Sequence, residues 1–181
     1  MFLFLVGFMG SGKSFWGQRL AQKAGVPFID LDDEIVRIEN RDIPTIFRES
    51  GEAYFRTLER TVLESLSILS GELVLETESP SGPWQAVVST GGGTPCFLGN
   101  MDWMNRNGVT VWLDPPVSRL AERLAGETAS RPLLEGRSGL ALSQLIEEKI
   151  TQRKPFYGMS KISIKDTDIH IDQFFKILGY A

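Results

Sequence analysis

The strongest chemical signal in the sequence is a glycine-rich segment, Gly7-Phe-Met-Gly-Ser-Gly-Lys-Ser14, which satisfies the G-x-x-x-x-G-K-[ST] pattern of a phosphate-binding loop. Its glycines let the backbone curl so that successive N–H groups face phosphate oxygens, with the positive end of a helix behind them. Lys13 can then reach the β- and γ-phosphates, and Ser14 can ligate the Mg²⁺ that bridges them. The alternative is a chance glycine turn with an exposed lysine. An apolar run before the segment and a helical pattern after it favour the phosphate loop, so we expect ATP to bind Gly10, Ser11, Gly12, Lys13, Ser14 and Phe15.

Two carboxylates follow the next apolar run, at Asp30 and Asp32. A spacing of two places both on one side of a strand, at the carboxyl edge where open α/β sheets bind ligands. One can support Mg²⁺, and the other can accept a hydrogen bond from an attacking hydroxyl and help remove its proton. The alternative is that Asp32, with Asp33 and Glu34, caps the following helix. Because a phosphate loop precedes these acids, the sequence favours the catalytic interpretation.

An arginine beside two aromatic residues is a candidate for binding the carboxylate of a phosphoryl acceptor. Arg56 follows Phe55, and Phe47 lies one segment earlier. A planar guanidinium can hold a carboxylate through two parallel hydrogen bonds. A surface arginine paired with Glu52 or Glu59 is an equally good interpretation of the segment alone, and aromatic residues at this spacing often belong to a core.

Three further features could complete such a site. Gly91-Gly92-Gly93 directly follows an apolar run and lets the main chain approach a ligand closely, although a tight turn explains it as well. Arg131 lies within residues 125–139, a glycine-bearing stretch long enough for a mobile lid that neutralises phosphoryl charge and excludes water. Arg153 lies near the end of a helical pattern. For either arginine, a solvated surface position is the alternative.

These residues require a scaffold of alternating strands and helices. Apolar runs of strand length alternate with segments of helical spacing, which predicts one α/β domain with a mostly parallel sheet covered by helices on both faces. The predicted strands are Leu3 to Val6, Phe28 to Leu31, Val87 to Ser89, Val109 to Leu113 and Ile162 to Ile164. A chain of 181 residues is suited to a single domain of this kind, residues 1–181.

Composition excludes several classes of function. A formal net charge of −4 provides no general basic field for nucleic acid or an anionic membrane. One cysteine, Cys96, and one histidine, His170, exclude an internal disulfide and Cys- or His-rich metal sites, which fits a reducing cytoplasm. No apolar stretch reaches transmembrane length, and no heptad pattern demands a partner chain, so we expect a cytoplasmic monomer.

Taken together, the motifs resemble those of shikimate kinases over nearly the whole chain. The matching segments occur in the order typical of that family: Gly7 to Ser14, Asp30-x-Asp32, Gly51-Glu52-x-x-Phe55-Arg56, Gly91 to Gly93, Arg131-Pro132-Leu133-Leu134 and Arg153-x-Pro155-x-Tyr157. The resemblance implies a three-layer α/β/α P-loop kinase fold, with a five-stranded parallel sheet in the order 2-3-1-4-5 and a mobile lid. It also implies transfer of the ATP γ-phosphate to the 3-hydroxyl of shikimate, a step toward aromatic amino acids.

The resemblance assigns roles residue by residue. Lys13 would bind phosphate, Ser14 and Asp30 would serve Mg²⁺, and Asp32 would hold the acceptor hydroxyl and act as base. Arg131 would be the lid residue that reaches ATP. The acceptor-binding segment would be about residues 32–60, and later residues would add further contacts. The contacts would be made by Asp32, Phe47, Phe55, Arg56, Gly91, Gly92, Gly93 and Arg153.

Two departures from the family pattern accompany these roles. Family members often carry an arginine seven residues before the lid arginine, near the adenine; here that position is Leu124, and Arg123 lies one residue earlier. The stretch of residues 71–85 is also longer than the corresponding stretch usually is in the family. Two other functions stay open at this point: another small-molecule kinase, such as one for gluconate, and a nucleotide-binding protein without catalysis.

Overall fold

Five parallel strands form the centre of the computed structural model, in the order β2-β3-β1-β4-β5. Their bounds are β1 Phe2–Val6, β2 Phe28–Asp30, β3 Val87–Ser89, β4 Gly108–Leu113 and β5 Ile162–Ile164. All four neighbouring pairs are parallel, and β1 lies between β3 and β4. The structure describes residues 1–76, 83–125, 138–165 and 169–180, without the side chains of 68–76. The predicted strand order and sheet type are confirmed.

Helices connect the strands and cover both faces of the sheet. Their bounds are α1 Lys13–Ala24, α2 Leu31–Glu39, α3 Ile43–Glu76, α4 Asn100–Asn107, α5 Val117–Leu124, α6 Gly139–Tyr157 and α7 Ile171–Ile177, with a 3₁₀ turn at Thr94–Cys96. The long α3 changes direction at Gly51, whose φ of 81° and ψ of 169° are not helical. Such a φ is accessible to glycine without the steric cost that a β-carbon imposes. Within the described ranges, no helix is both long and apolar enough to span a membrane.

The two faces of the sheet have separate hydrophobic cores, because alternate residues of a strand point to opposite sides. Leu3 and Leu5 of β1 pack with Trp16 of α1 and Phe174 of α7. The intervening residues of β1 pack with side chains of α2, α3 and α4. A third cluster joins α5 to α6 beside the phosphate loop and contains Phe8, Leu120, Leu124, Leu142, Leu145 and Ile146. The sheet is therefore the middle of three layers.

The end of β2 differs from the sequence prediction. The strand stops at Asp30 and α2 begins at Leu31, so the prediction that Asp32 lies on a strand is wrong. Three acids in the first turn favour a helix N-terminus, and the Asp30 carboxylate accepts a hydrogen bond of 3.1 Å from the Asp32 N–H. The capping that was considered as an alternative role therefore exists, but Asp30 is the residue that provides it.

Two expected loops fall largely on residues that the structure does not describe. Of the predicted lid, residues 125–139, only Ala125, Ser138 and Gly139 are described. Of the longer stretch at 71–85, helix α3 includes the backbone up to Glu76, and residues 77–82 lie outside the described ranges. The single-domain and lid assignments stay predictions.

Candidate active site

The phosphate loop connects β1 to α1 and is organised around its own lysine. Lys13 is 8% exposed, and its Nζ donates hydrogen bonds of 3.0 Å to the carbonyls of both Gly7 and Phe8. Helix α1 begins at Lys13, and its N-cap residue, Gly12, provides no side chain to accept the first N–H groups. These N–H groups carry the positive end of the helix dipole. A buried ammonium and an uncapped helix N-terminus together form a site for a phosphate chain.

A cavity of about 740 Å³ opens over this loop. Its lining includes five of the six residues that we expected to bind ATP in this segment, and Ser11 is the exception because it is fully buried. The lining residues are Met9, Gly10, Gly12, Lys13, Ser14, Phe15, Trp16, Asp30, Asp32, Ser89, Thr90, Gly92 and Arg123. The cavity thus joins the loop to the carboxyl ends of β2 and β3, where ligands bind in open α/β sheets.

Oxygen atoms suited to a magnesium ion lie at the floor of this cavity. The Ser14 hydroxyl donates a hydrogen bond of 2.7 Å to Oδ2 of Asp30, and its Oγ lies 3.4 Å from the hydroxyl of Ser89. Mg²⁺ prefers such hard oxygen ligands and usually takes few of them from protein. No three His, Cys, Asp or Glu side chains form a metal cluster in the part of the chain that the structure describes. Ser14 and Asp30 therefore fit a metal that arrives with a nucleotide.

Asp32 lines this cavity and also a second one, of about 390 Å³. Burial raises the pKa of the Asp32 carboxyl from 3.8 to about 6, and the charges of Asp30 and Glu59 add to the rise while Lys13 opposes it. A carboxylate with a raised pKa is a better proton acceptor, and it still ionises at neutral pH. Asp32 therefore lies between two cavities and has a pKa that suits a candidate general base.

The second cavity has an apolar wall and a cationic end. Phe47 and Phe55 form the wall, with ring centroids 4.7 Å apart, and the Arg56 guanidinium carbon lies 5.3 Å from the Phe55 centroid. The complete lining is Met9, Asp32, Val36, Ile43, Pro44, Phe47, Phe55, Arg56, Glu59, Gly91, Gly92, Gly93 and Arg153. All eight residues that we expected to contact the acceptor belong to this lining. The cavity suits a small ring that carries an anionic group.

Arg56 has the ion-pair partners that were considered as an alternative, yet it is not a surface residue. Its Nη2 lies 2.8 Å from Glu52 and its Nη1 lies 2.7 Å from Glu59, while its side chain is only 11% exposed. Glu59 is buried, and Thr94 donates a further hydrogen bond to its carboxylate. Burial raises the pKa of Glu59, and the charge of Arg56 opposes that rise. The two interpretations of Arg56 are compatible, because the pairs hold the guanidinium at the wall of the cavity.

The glycines after β3 allow close approach. A β-carbon on Gly93 would lie 2.6 Å from Nη1 of Arg56, and one on Gly91 would lie 2.7 Å from Oδ1 of Asp32. Contacts below 3.0 Å do not occur for real β-carbons. A side chain at either position would therefore force the end of the Arg56 or the Asp32 side chain to shift.

Several residues that line the two cavities were not predicted from the sequence as site residues, among them Ser89, Glu59 and Arg123. Ser89 and Glu59 are brought in by tertiary contacts, although Glu59 lies three residues after Arg56 and so on the same helix face. Arg123 lines the cavity over the phosphate loop and donates a hydrogen bond of 3.0 Å to the Gly10 carbonyl. The neighbouring Leu124 is fully buried. The guanidinium at the cavity is thus that of Arg123. Arg131 lies outside the described residues.

Comparison with known proteins agrees with this geometry. A family model described as shikimate kinase matches residues 9–178. A shikimate kinase from Parabacteroides distasonis is 40% identical over 174 residues, which are 93% of this chain and 92% of the relative. Among solved structures, a shikimate kinase from Bacteroides thetaiotaomicron has a TM-score of 0.83 at 34% identity, covering 99% of this chain and 98% of the other.

A second solved structure is that of a shikimate kinase from Acinetobacter baumannii in complex with shikimate. It has a TM-score of 0.79 at 31% identity and covers 98% of this chain and 90% of the other. The matches extend over the phosphate loop, both cavities and nearly the full sheet. This chain belongs to the shikimate kinase family.

Proposed function

We propose that this chain transfers the γ-phosphoryl group of ATP to the 3-hydroxyl of shikimate, and that Asp32 receives the proton of that hydroxyl. The observation that carries the proposal is the position of Asp32, whose side chain lines the nucleotide cavity and the acceptor cavity together. A base must reach the attacking hydroxyl at the point where the two substrates meet. Among the described residues that line both cavities, Met9, Asp32 and Gly92, only Asp32 has an ionisable side chain.

The nucleotide side binds the phosphate chain. The N–H groups of the loop and of the first turn of α1 hold the α- and β-phosphates, and Lys13 holds the γ-phosphate. Ser14 and Asp30 would hold Mg²⁺. When bound, this ion would neutralise negative charge on the phosphates. Arg123 contacts the nucleotide beyond the phosphates, and Arg131 completes the site from a lid within residues 125–139.

The second cavity binds and orients the hydroxylated cyclohexene ring of shikimate. Arg56 and Arg153 bind its carboxylate, since two guanidinium groups form the only pronounced positive charge in the described lining of this cavity. Glu52 is 58% exposed and can leave Arg56 to the ligand, whereas the buried Glu59 keeps the guanidinium in place. Phe47 and Phe55 pack against one face of the ring, and the main chain of Gly91 to Gly93 lines the rest. The segment that binds the acceptor is about residues 32–60, and it belongs to a single domain formed by residues 1–181.

Catalysis then consists mostly of positioning. Arg56 and Arg153 hold the carboxylate and thereby direct the 3-hydroxyl toward the γ-phosphorus. Asp32 accepts the proton of that hydroxyl as the new P–O bond forms, and Lys13 stabilises the negative charge on the phosphoryl oxygens. ADP leaves with its own oxygen and electron pair. We also infer that the chain acts as a cytoplasmic monomer, without nucleic acid or membrane partners.

The two other functions make different demands on the second cavity. Gluconate also has a carboxylate that arginines can bind, but it is an open-chain polyol and has no ring to pack against the aromatic wall of Phe47 and Phe55. A nucleotide-binding protein without catalysis does not need a carboxylate with a raised pKa between two cavities. Phe47, Phe55 and Asp32 therefore favour the shikimate assignment.

A coupled assay of ADP release tests the proposal. The purified chain is given Mg·ATP with shikimate, with gluconate at the same concentration, or with no acceptor. We expect ADP formation that depends on shikimate and rises with its concentration to saturation. ADP formation with gluconate alone, or at one slow rate in all three mixtures, would refute the assigned acceptor.

A further inference from the structure

Tyr157 is a buried polar residue that the proposed reaction does not yet use. It ends helix α6, is fully buried, and packs its ring against Trp112 at a centroid distance of 5.7 Å. Its hydroxyl donates a hydrogen bond of 2.5 Å to the carbonyl of Gly92. Burial raises the pKa of the phenol, so the hydroxyl stays protonated and remains a donor. A hydroxyl in an otherwise apolar core is costly unless it is bonded, and the partner here belongs to the active site.

Arg153 lies one helical turn before Tyr157 and shares its partner. Nη1 of Arg153 donates a hydrogen bond of 3.0 Å to the same Gly92 carbonyl. The carbonyl therefore accepts hydrogen bonds from both side chains. The bond to Arg153 restricts the direction in which the remaining N–H groups of its planar guanidinium point.

Gly92 connects Tyr157 and Arg153 to both cavities. It lines the nucleotide cavity and the acceptor cavity, and a β-carbon on it would lie 3.3 Å from the backbone nitrogen of Met9 in the phosphate loop. The Arg153 guanidinium carbon is also 5.5 Å from the ring centroid of Phe8 in that loop. The Gly92 carbonyl accepts a directional hydrogen bond from the long and flexible side chain of Arg153, and so restricts the orientation of its guanidinium.

We propose that Tyr157 is a positioning residue that sets the orientation of Arg153 toward the acceptor carboxylate, and so determines selectivity for an anionic acceptor. This assignment rests on the proposed function, in which Arg153 binds that carboxylate. Tyr157 touches neither substrate and acts through Gly92 and Arg153. Its removal should therefore affect recognition of the carboxylate and leave recognition of the ring hydroxyls and of ATP unchanged.

Tyr157→Phe tests the assignment because it deletes the hydroxyl and keeps the ring against Trp112. The readout is the ratio of kcat/KM for shikimate to kcat/KM for its methyl ester, which has the same ring hydroxyls and no negative charge. The ratio is independent of the fraction of folded enzyme. We expect the wild type to prefer shikimate and the variant to lose about five- to tenfold of that preference, through KM for shikimate, as for one lost hydrogen bond between neutral groups. The KM for ATP should stay within about twofold.

Two further variants complete the experiment. Tyr54→Phe is the matched control: Tyr54 donates a hydrogen bond of 2.7 Å to Glu39, is 43% exposed, and lines neither cavity, so its ratio should equal that of the wild type. In an Arg153→Lys background, Tyr157→Phe should cause no further change in the ratio, because the two residues act through one contact.

Several outcomes would overturn the assignment. An unchanged ratio in Tyr157→Phe, or an equal fall for both acceptors, would leave the residue a purely structural role. The same loss of preference in Tyr54→Phe would show that the effect is not specific to Tyr157. A wild type that turns over shikimate and its ester equally well would refute Arg153 as the carboxylate ligand and this assignment with it. A wild type that does not phosphorylate shikimate at all would refute the proposed function itself.

Discussion

Arg56 and Glu59 form a largely buried ion pair on one face of α3, with 2.7 Å between Nη1 and Oε2. Removing one member of such a pair leaves an uncompensated buried charge, which costs more than the pair contributes. Arg56 is also one of the two proposed carboxylate ligands. Stability and acceptor binding therefore depend on the same side chain, and two variants can separate them.

The first prediction concerns Arg56→Ala. We expect the KM for shikimate to rise at least about tenfold, because a charge-assisted contact is lost. The free energy of unfolding should fall by about 3 kcal/mol, since Glu59 is left without its partner. Adding Glu59→Gln should recover most of that stability without lowering KM. Kinetics and urea unfolding of the single and double variants measure both effects. An unchanged KM for shikimate in the single variant would contradict the assignment of Arg56 as a carboxylate ligand.

The second prediction is that Asp32→Asn lowers kcat by at least about a hundredfold, because an amide cannot accept the hydroxyl proton. The dissociation constant of Mg·ATP should change little, since a base acts on the transition state. Steady-state kinetics and calorimetric titration of nucleotide give the two quantities. Asp33→Asn, one residue along α2 and lining neither cavity, is the control and should keep full activity. If kcat survives in Asp32→Asn, another group takes the proton.

The third prediction is a pH dependence of stability in the absence of metal and nucleotide. The pKa of Asp32 is raised in the folded chain to about 6 from 3.8, so its protonation stabilises the fold below pH 4, and this contribution is lost as pH rises through 6. The loss amounts to roughly 2–3 kcal/mol.

Asp32→Asn has no such proton to lose. We expect wild type and variant to have similar stability near pH 4, and the variant to be more stable by that amount near pH 8. Chemical unfolding at several pH values in the presence of a chelator measures the difference. Parallel stability curves for the two proteins between pH 4 and 8 would show that Asp32 has an ordinary pKa.

The fourth prediction concerns Asp30→Asn. Asparagine caps a helix as well as aspartate does, so α2 should keep its stability. The loss of the negative charge beside Ser14 should raise the Mg²⁺ concentration for half-maximal activity by roughly tenfold, as for an outer ligand of a metal site. Activity titrations with Mg²⁺ at fixed ATP provide the measurement. Equal Mg²⁺ dependence in variant and wild type would remove Asp30 from the metal site.

Local patterns account for what could be predicted from the sequence. The loop from Gly7 to Ser14 and the buried strands are encoded by neighbouring residues, and the structure has them within about one residue of the predicted bounds. The boundary at Asp30 was predicted wrongly because spacing of two resembles a strand, whereas the acids after it favour a helix start. Helix propensity and capping were stronger than the alternation signal there.

Tertiary proximity accounts for what was missed. The sequence indicated Glu59 only as a possible surface partner of Arg56, and its place in the buried site depends on Thr94 and Arg56 meeting it in the fold. The same holds for Arg123: its distance from Gly10 in sequence gives no indication that the two are bonded. The family pattern pointed to position 124, and one residue of offset on α5 was enough to bury Leu124 and bring Arg123 to the cavity.

The shared lining of the two cavities has a consequence for inhibitor design. Met9, Asp32 and Gly92 are common to both, so a single molecule that fills both cavities must pass between a thioether, a carboxylate and a glycine backbone. A phosphate-like linker would bring negative charge against Asp32. A short linker with a protonated amine would pair with that carboxylate instead, and Asp32 would then be an anchor for the inhibitor.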